Sequence, residues 1–135
     1  MFVVDASMAL TWCIEDEADD ASDEVLHRIL IEGGIAPAQW PLEMANGIRF
    51  AARRGRVDQP AVGRAREIIE GLPIEVLPVE TSTALRLIDM AQSLDLSVYD
   101  AAYLDLARIR GLGLATLDRR LAAACRKVGV AVIAA

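Results

Sequence analysis

Residues 2–7 read Phe2-Val3-Val4-Asp5-Ala6-Ser7. A short apolar run with β-branched residues is the pattern of a strand buried on both faces. The acid after it stands where such a strand hands over to a helix. Three more segments place one carboxylate at a comparable handover: Pro41-Leu42-Glu43-Met44-Ala45-Asn46, Val98-Tyr99-Asp100-Ala101-Ala102-Tyr103 and Ala115-Thr116-Leu117-Asp118. The carboxyl ends of parallel strands share one edge of an α/β sheet. Acids distant in sequence can meet on that edge. Oxygen ligands without a histidine or cysteine partner suit Mg²⁺ or Mn²⁺.

Working outward, the chain alternates strands and helices. Ser7 is a candidate cap for a helix reaching about Ile14. After the acidic turn from Glu15 to Asp20, Ala21, Val25, Leu26, Ile29 and Leu30 share one face of a second helix. Gly33-Gly34 ends it, and Ile35-Ala36 is a very short strand. Pro41 opens a third helix to about Arg54, and a fourth covers Gln59 to Glu70. Ile74 to Leu77 reads as a strand between Pro73 and Pro78. Thr81 or Ser82 opens a fifth helix to about Ser93, and Ser97 a sixth to about Arg110. Leu112 to Ala115 is a strand, Asp118 opens a seventh helix, and Val130 to Ile133 is the last strand. This order predicts a parallel sheet of short strands covered on both faces, in one domain over residues 1–135.

Hydrophobic residues make up 54% of the 135, which excludes disorder and suits one sizeable core. No apolar run is long enough to span a membrane, and no basic segment precedes the first strand. Cys13 and Cys125 match no metal or redox spacing, and they point to a reducing, cytoplasmic setting. The formal net charge is −6. With the four candidate site acids neutralised by metal, fourteen basic groups face sixteen acids, leaving −2. Seven acids fall between Glu15 and Glu24, and six arginines between Arg49 and Arg66. Arg53, Arg54, Arg56, Arg119 and Arg120 are candidates for phosphate contact, since arginine binds phosphate through two parallel hydrogen bonds. A solvated helix face explains the same arginines equally well.

Each acid also has an ordinary explanation. Asp5 can be a turn residue, Asp118 a helix cap, and Glu43 an acid in a favoured first turn. Asp100 carries more weight. Leu104 and Ala107 lie within about 40° of it around the helix, and Tyr103 about 60° away. A carboxylate on an apolar stripe needs a partner or a cation. Asp105, about 140° away, is expected in solvent, or at most as a support behind the direct ligands. Asn46 stands one helical turn from Glu43. The single histidine, His27, lies off the apolar face of its helix, which removes triads and zinc motifs. With aromatics only 4% of the chain, Trp12, Trp40, Tyr99 and Tyr103 suit core or interface positions better than base-stacking platforms. A receiver domain would need an acidic pair after the first strand. A haloacid-dehalogenase-like phosphatase would need an aspartate where Ser7 stands.

With these residues in view, the chain resembles the PIN-domain ribonucleases, and especially the VapC-type toxins of type II toxin–antitoxin pairs. The most specific part is Leu96-Ser97-Val98-Tyr99-Asp100-Ala101-Ala102-Tyr103-Leu104-Asp105-Leu106-Ala107. Val3-Val4-Asp5-Ala6-Ser7, Glu43 followed by Asn46, and Ala115-Thr116-Leu117-Asp118 fall in the family's order. The resemblance implies a three-layer α/β/α sandwich. It also implies an endoribonuclease using one or two Mg²⁺ or Mn²⁺ ions held by Asp5, Glu43, Asp100 and Asp118. Ser7, Asn46 and Thr116 would support them. Metal-activated water would hydrolyse the phosphodiester, leaving a 5′-phosphate and a 3′-hydroxyl. A homodimer and a cognate antitoxin are implied as well, with Met8, Trp12, Met44 and Phe50 as candidate partner contacts. The competing expectation is a non-catalytic partner-binding module of the same fold, whose acids only cap helices.

Overall fold

The computed structural model describes residues 1–133. In chain order the elements are β1 Phe2–Val4, α1 Ala6–Leu10, a 3₁₀ turn Glu15–Glu17, α2 Asp20–Glu32, β2 Gly34–Pro37, α3 Trp40–Arg53 and α4 Gln59–Gly71. They continue with β3 Ile74–Leu77, α5 Thr81–Leu94, α6 Val98–Arg110, β4 Leu114–Ala115, α7 Arg119–Val128 and β5 Val132–Ile133. The five strands form one parallel sheet in the order β3-β2-β1-β4-β5. The architecture is the three-layer α/β/α sandwich that the resemblance implies, and its parallel sheet is the one the alternation predicts.

The strand order fixes where chemistry can occur. From β1 the chain moves outward through β2 to β3, then returns across the sheet to place β4 on the other side of β1. That reversal opens a crevice beyond the carboxyl ends of β1 and β4. Val3 pairs with Leu114 and Val4 with Ala115. Asp5 N–H then donates to the Ala115 carbonyl at 3.1 Å. The residues that follow each strand, Asp5 on one side and Thr116 to Asp118 on the other, therefore enter the same crevice.

Phe2, Val3, Val4, Ile35, Leu104, Leu114 and Leu121 are all essentially excluded from water. Each large side chain of this kind contributes roughly 1.5–3 kcal/mol. A smaller core of Leu87, Ala91, Ala101 and Ala102 joins α5 to α6. α3 lies close on α1 because Gly47 has no side chain. A methyl group there would stand 2.5 Å from Leu10 Cδ1 and 2.8 Å from Cδ2. Gly47 is one turn on from Glu43 and shares its face, so this close approach brings Glu43 toward the start of α1.

Several expectations change. β3 is an edge strand with Glu75 and Val76 exposed, so only the inner strands are buried on both faces. Leu30 of α2 is exposed, while Val25 and Ile29 carry the helix's buried face. Asp105 is not in solvent. It is buried, with Arg86 Nη2 at 3.2 Å and Arg108 Nη2 at 3.4 Å from its carboxylate. The wheel placed it correctly away from Asp100, but α5 covers that side of α6, so α6 is buried on two faces. Met8, Trp12 and Met44 do not form a partner surface. Both methionines are fully buried, and Trp12 is buried with its Nε1 donating to the Ser22 carbonyl at 2.9 Å. Of the four candidates only Phe50 is exposed, with the Arg54 guanidinium 4.4 Å from its ring centre. Phe50→Ser is expected to cost about 1 kcal/mol or less in urea unfolding, the scale of one exposed cation–π contact. A loss of several kcal/mol would place Phe50 in the core.

Candidate active site

The crevice is built on four helix starts. Asp5 caps α1: its Oδ1 accepts from Met8 N–H at 3.0 Å and from Ser7 Oγ at 2.7 Å. The cap is thus Asp5 and not Ser7, because the helix begins one residue after the acid. Thr116 Oγ1 donates to Asp5 Oδ2 in a short hydrogen bond. The Thr116 hydroxyl also accepts from Asp118 N–H at 3.0 Å, and Ser7 Oγ accepts from Leu117 N–H at 3.0 Å. These hydroxyls join the β1 turn to the β4 turn and fix the direction of the Asp5 carboxylate. Asp118 caps α7 through Leu121 N–H at 3.0 Å, and Ser97 caps α6 through Asp100 N–H at 3.0 Å. Ser97 therefore satisfies the first turn of α6 and leaves the Asp100 carboxylate free of capping.

Glu43 sits in the first turn of α3. Tyr103 of α6 donates to Glu43 Oε2 through a long hydrogen bond of 3.4 Å. The other oxygen, Oε1, is buried and has no hydrogen-bond partner. Such an acceptor is costly unless a donor or a cation meets it.

The four acids share one electrostatic field. Burial, foremost, raises the pKa of Asp5, against the hydrogen bonds of Thr116, Ser7 and Met8, and Asp118 raises it further. Burial also raises Glu43, with added repulsion from Asp5 and Asp100. Asp100 is raised first by burial and then by Asp118, partly opposed by Ser97 and Arg120. Burial first, and repulsion between the acids second, disfavour the ionised carboxylates, and a bound cation would relieve both. Among the described residues, however, no group of three His, Cys, Asp or Glu side chains is close enough to enclose an ion. The donors are hard oxygens that feel each other's charge without closing a shell. That fits a cation that keeps much of its own water, as Mg²⁺ does.

A model of the PIN domain matches residues 2–127, nearly the full chain. The chain belongs to the PIN domain family. A comparison with curated proteins found no match. Among solved structures, PAE2754 from Pyrobaculum aerophilum is similar, with a TM-score of 0.72 and 25% identity over 97% of this chain and 89% of that one. The fold is a nuclease fold, and PIN domains are generally nucleases.

In this PIN domain the expected acids Asp5, Glu43, Asp100 and Asp118 all stand at the sheet's carboxyl edge, with Ser7 and Thr116 linked to Asp5. Asn46 is exposed on α3. Arg119 and Arg120 follow Asp118 directly, and Arg120 Nη2 lies 2.7 Å from Asp95. Arg53, Arg54 and Arg56 stand at the other end of α3, about 15 Å along its axis from Glu43. Arg56 is held by Asp16 at 2.8 Å and Glu17 at 3.4 Å, which accounts for part of the acidic turn. Tyr103 is the site residue that sequence reasoning left in the core. Its position one turn after Asp100 was the available signal. Cys13 and Cys125 are buried free thiols, both pushed up to about 11 chiefly by burial. Among the described residues, no helix is long and apolar enough to cross a membrane.

Proposed function

We propose that the protein is a divalent-metal-dependent endoribonuclease acting in the cytoplasm as the toxin of a type II toxin–antitoxin pair. The observation that carries the nuclease part is the buried, partnerless Oε1 of Glu43 beside three further carboxylates at the switch point of the sheet. Asp5, Glu43, Asp100 and Asp118 would hold Mg²⁺ or Mn²⁺. A divalent ion supplies positive charge to the phosphate and lowers the pKa of its water.

The chain's own groups have distinct tasks. Ser7, Met8 N–H and Thr116 hold Asp5 in one orientation. Tyr103 orients Glu43 and leaves Oε1 available. Asp100 projects from a helix start whose cap is supplied by Ser97. The N-termini of α6 and α7 direct their positive ends at the site, which favours carboxylate and phosphate alike. Arg119 and Arg120, in the first turn of α7, are better placed for a phosphate at the acids than the arginines at the far end of α3.

The toxin assignment, the antitoxin and the homodimer rest on the resemblance of residues 96–107 to VapC-type toxins. Phe50 remains the exposed candidate for a partner contact. Wild type is expected to cut RNA slowly with Mg²⁺ or Mn²⁺, to leave 5′-phosphate ends, and to lose all activity in EDTA. Cleavage that persists in EDTA would remove the metal from the reaction. No cleavage under any metal condition would favour the partner-binding module.

A further inference from the structure

The chain has six aromatic residues. Phe2, Trp12, Trp40 and Tyr103 are buried, and Phe50 lies against Arg54. Tyr99 is different. It is 66% exposed, and among the described residues no guanidinium stacks on it. It precedes Asp100 in the first turn of α6. Its carbonyl accepts from Gln39 Nε2 at 3.0 Å, which ties that turn to the residue before α3, the helix bearing Glu43. The base of the ring is thus anchored between the starts of two helices that supply site acids. Leu42, 76% exposed, precedes Glu43, and Leu117, 44% exposed, precedes Asp118. Scattered exposed apolar residues need no explanation. An uncovered aromatic one residue before a site carboxylate, at a helix start on the crevice, with large aliphatic residues one residue before two of the others, is a distinct arrangement.

We infer that Tyr99 is a substrate-positioning residue whose ring stacks on a nucleobase next to the phosphate at the acids. The inference rests on the nuclease function proposed above. Every base offers a π-face, so the contact would position RNA without selecting a sequence. The hydroxyl has no part in it. Phenylalanine and tryptophan should therefore replace tyrosine, and alanine should not.

The experiment uses the full chain with Mg²⁺ and a single-stranded RNA of roughly ten nucleotides, within the usual footprint of single-strand sites. Tyr99→Ala is expected to raise KM by roughly tenfold, the scale of losing one base–aromatic stack. kcat should change much less. Tyr99→Phe and Tyr99→Trp should restore KM. Because Trp12 and Trp40 are buried, added RNA should alter chiefly the exposed indole of the Tyr99→Trp protein, quenching its fluorescence. An unchanged KM in Tyr99→Ala, or unchanged Tyr99→Trp fluorescence while RNA is cut, would overturn the inference. So would a Tyr99→Ala protein that changes only its sedimentation mass, which would assign the ring to a second copy of the chain. If wild type cuts nothing, quenching would keep the stacking site and remove the nuclease. Absence of quenching would then remove both.

Discussion

Asp100→Asn is expected to lower the rate of RNA cleavage by about 10²–10³-fold, the scale of removing one positioned electrostatic group from an active site. The same substitution should leave the melting temperature unchanged or slightly raised. Structure and function separate here because Ser97, not Asp100, caps α6. The Asp100 carboxylate is raised by burial and by Asp118, which outweigh its contacts with Ser97 and Arg120, so its charge is a net burden on the apo fold. Initial rates at saturating Mn²⁺, alongside thermal unfolding, test this directly. Equal cleavage by both proteins would identify a contaminating nuclease. A rate lost only in proportion to lost folded protein would make Asp100 a structural residue. Asp118 makes a useful contrast. Its side chain caps α7, so Asp118→Ala should also cost about 1 kcal/mol of stability, whereas Asp118→Asn keeps an equivalent cap.

The convergence of the four acids was more legible in the sequence than the surface was. Asp5, Glu43, Asp100 and Asp118 could be found because each stands at a strand or turn that hands over to a helix, a position marked by local residue types. Their convergence follows from the strand order, in which β4 returns to the side of β1. The errors came from packing between elements, which periodicity does not report. Met8, Trp12 and Met44 look like surplus apolar residues near the early helices, yet the packing of α1, α2 and α3 buries them. Asp105 looks solvated on a wheel drawn for α6 alone, yet α5 covers it and two arginines reach in to neutralise it. Tyr103 looks like core and is core, but its hydroxyl still reaches Glu43.

Asp5→Asn is expected to stabilise the apo protein at neutral pH and to destabilise it relative to wild type once metal is bound. Asp5 is 4% exposed, and its ionised form is disfavoured chiefly by burial. An asparagine fits the same place. Its carbonyl can keep the bonds from Ser7 Oγ and Met8 N–H, and its amide can donate to Thr116 Oγ1. The Thr116 proton must then turn elsewhere, with Ser7 Oγ 3.4 Å away. That cost is set against removal of a buried charge that is repelled by Asp118 and itself repels Glu43. In the unfolded chain Asp5, Glu43 and Asp100 titrate in the ordinary carboxylate range, and in the fold all three lie above it. Between those limits the native state holds more protons, so its stability falls as pH rises, by up to about 1.4 kcal/mol per pH unit for each group. Apo wild type should show that fall superimposed on the rest of its titration. Asp5→Asn should show a shallower fall, and the difference between the two curves isolates this one group from oppositely shifted surface acids such as Asp16 and Glu32. Metal reverses the order. At a hundredfold excess over its dissociation constant, an ion that binds only the folded state adds about 2.7 kcal/mol, and the variant forgoes most of it. Thermal unfolding of both proteins, in EDTA and in millimolar Mn²⁺ across the acid-to-neutral range, measures every part of this. A wild type indifferent to Mn²⁺, together with an Asn variant less stable in EDTA, would mean that Asp5 is held in place for its cap and its hydrogen bonds, and that the four acids do not share a cation.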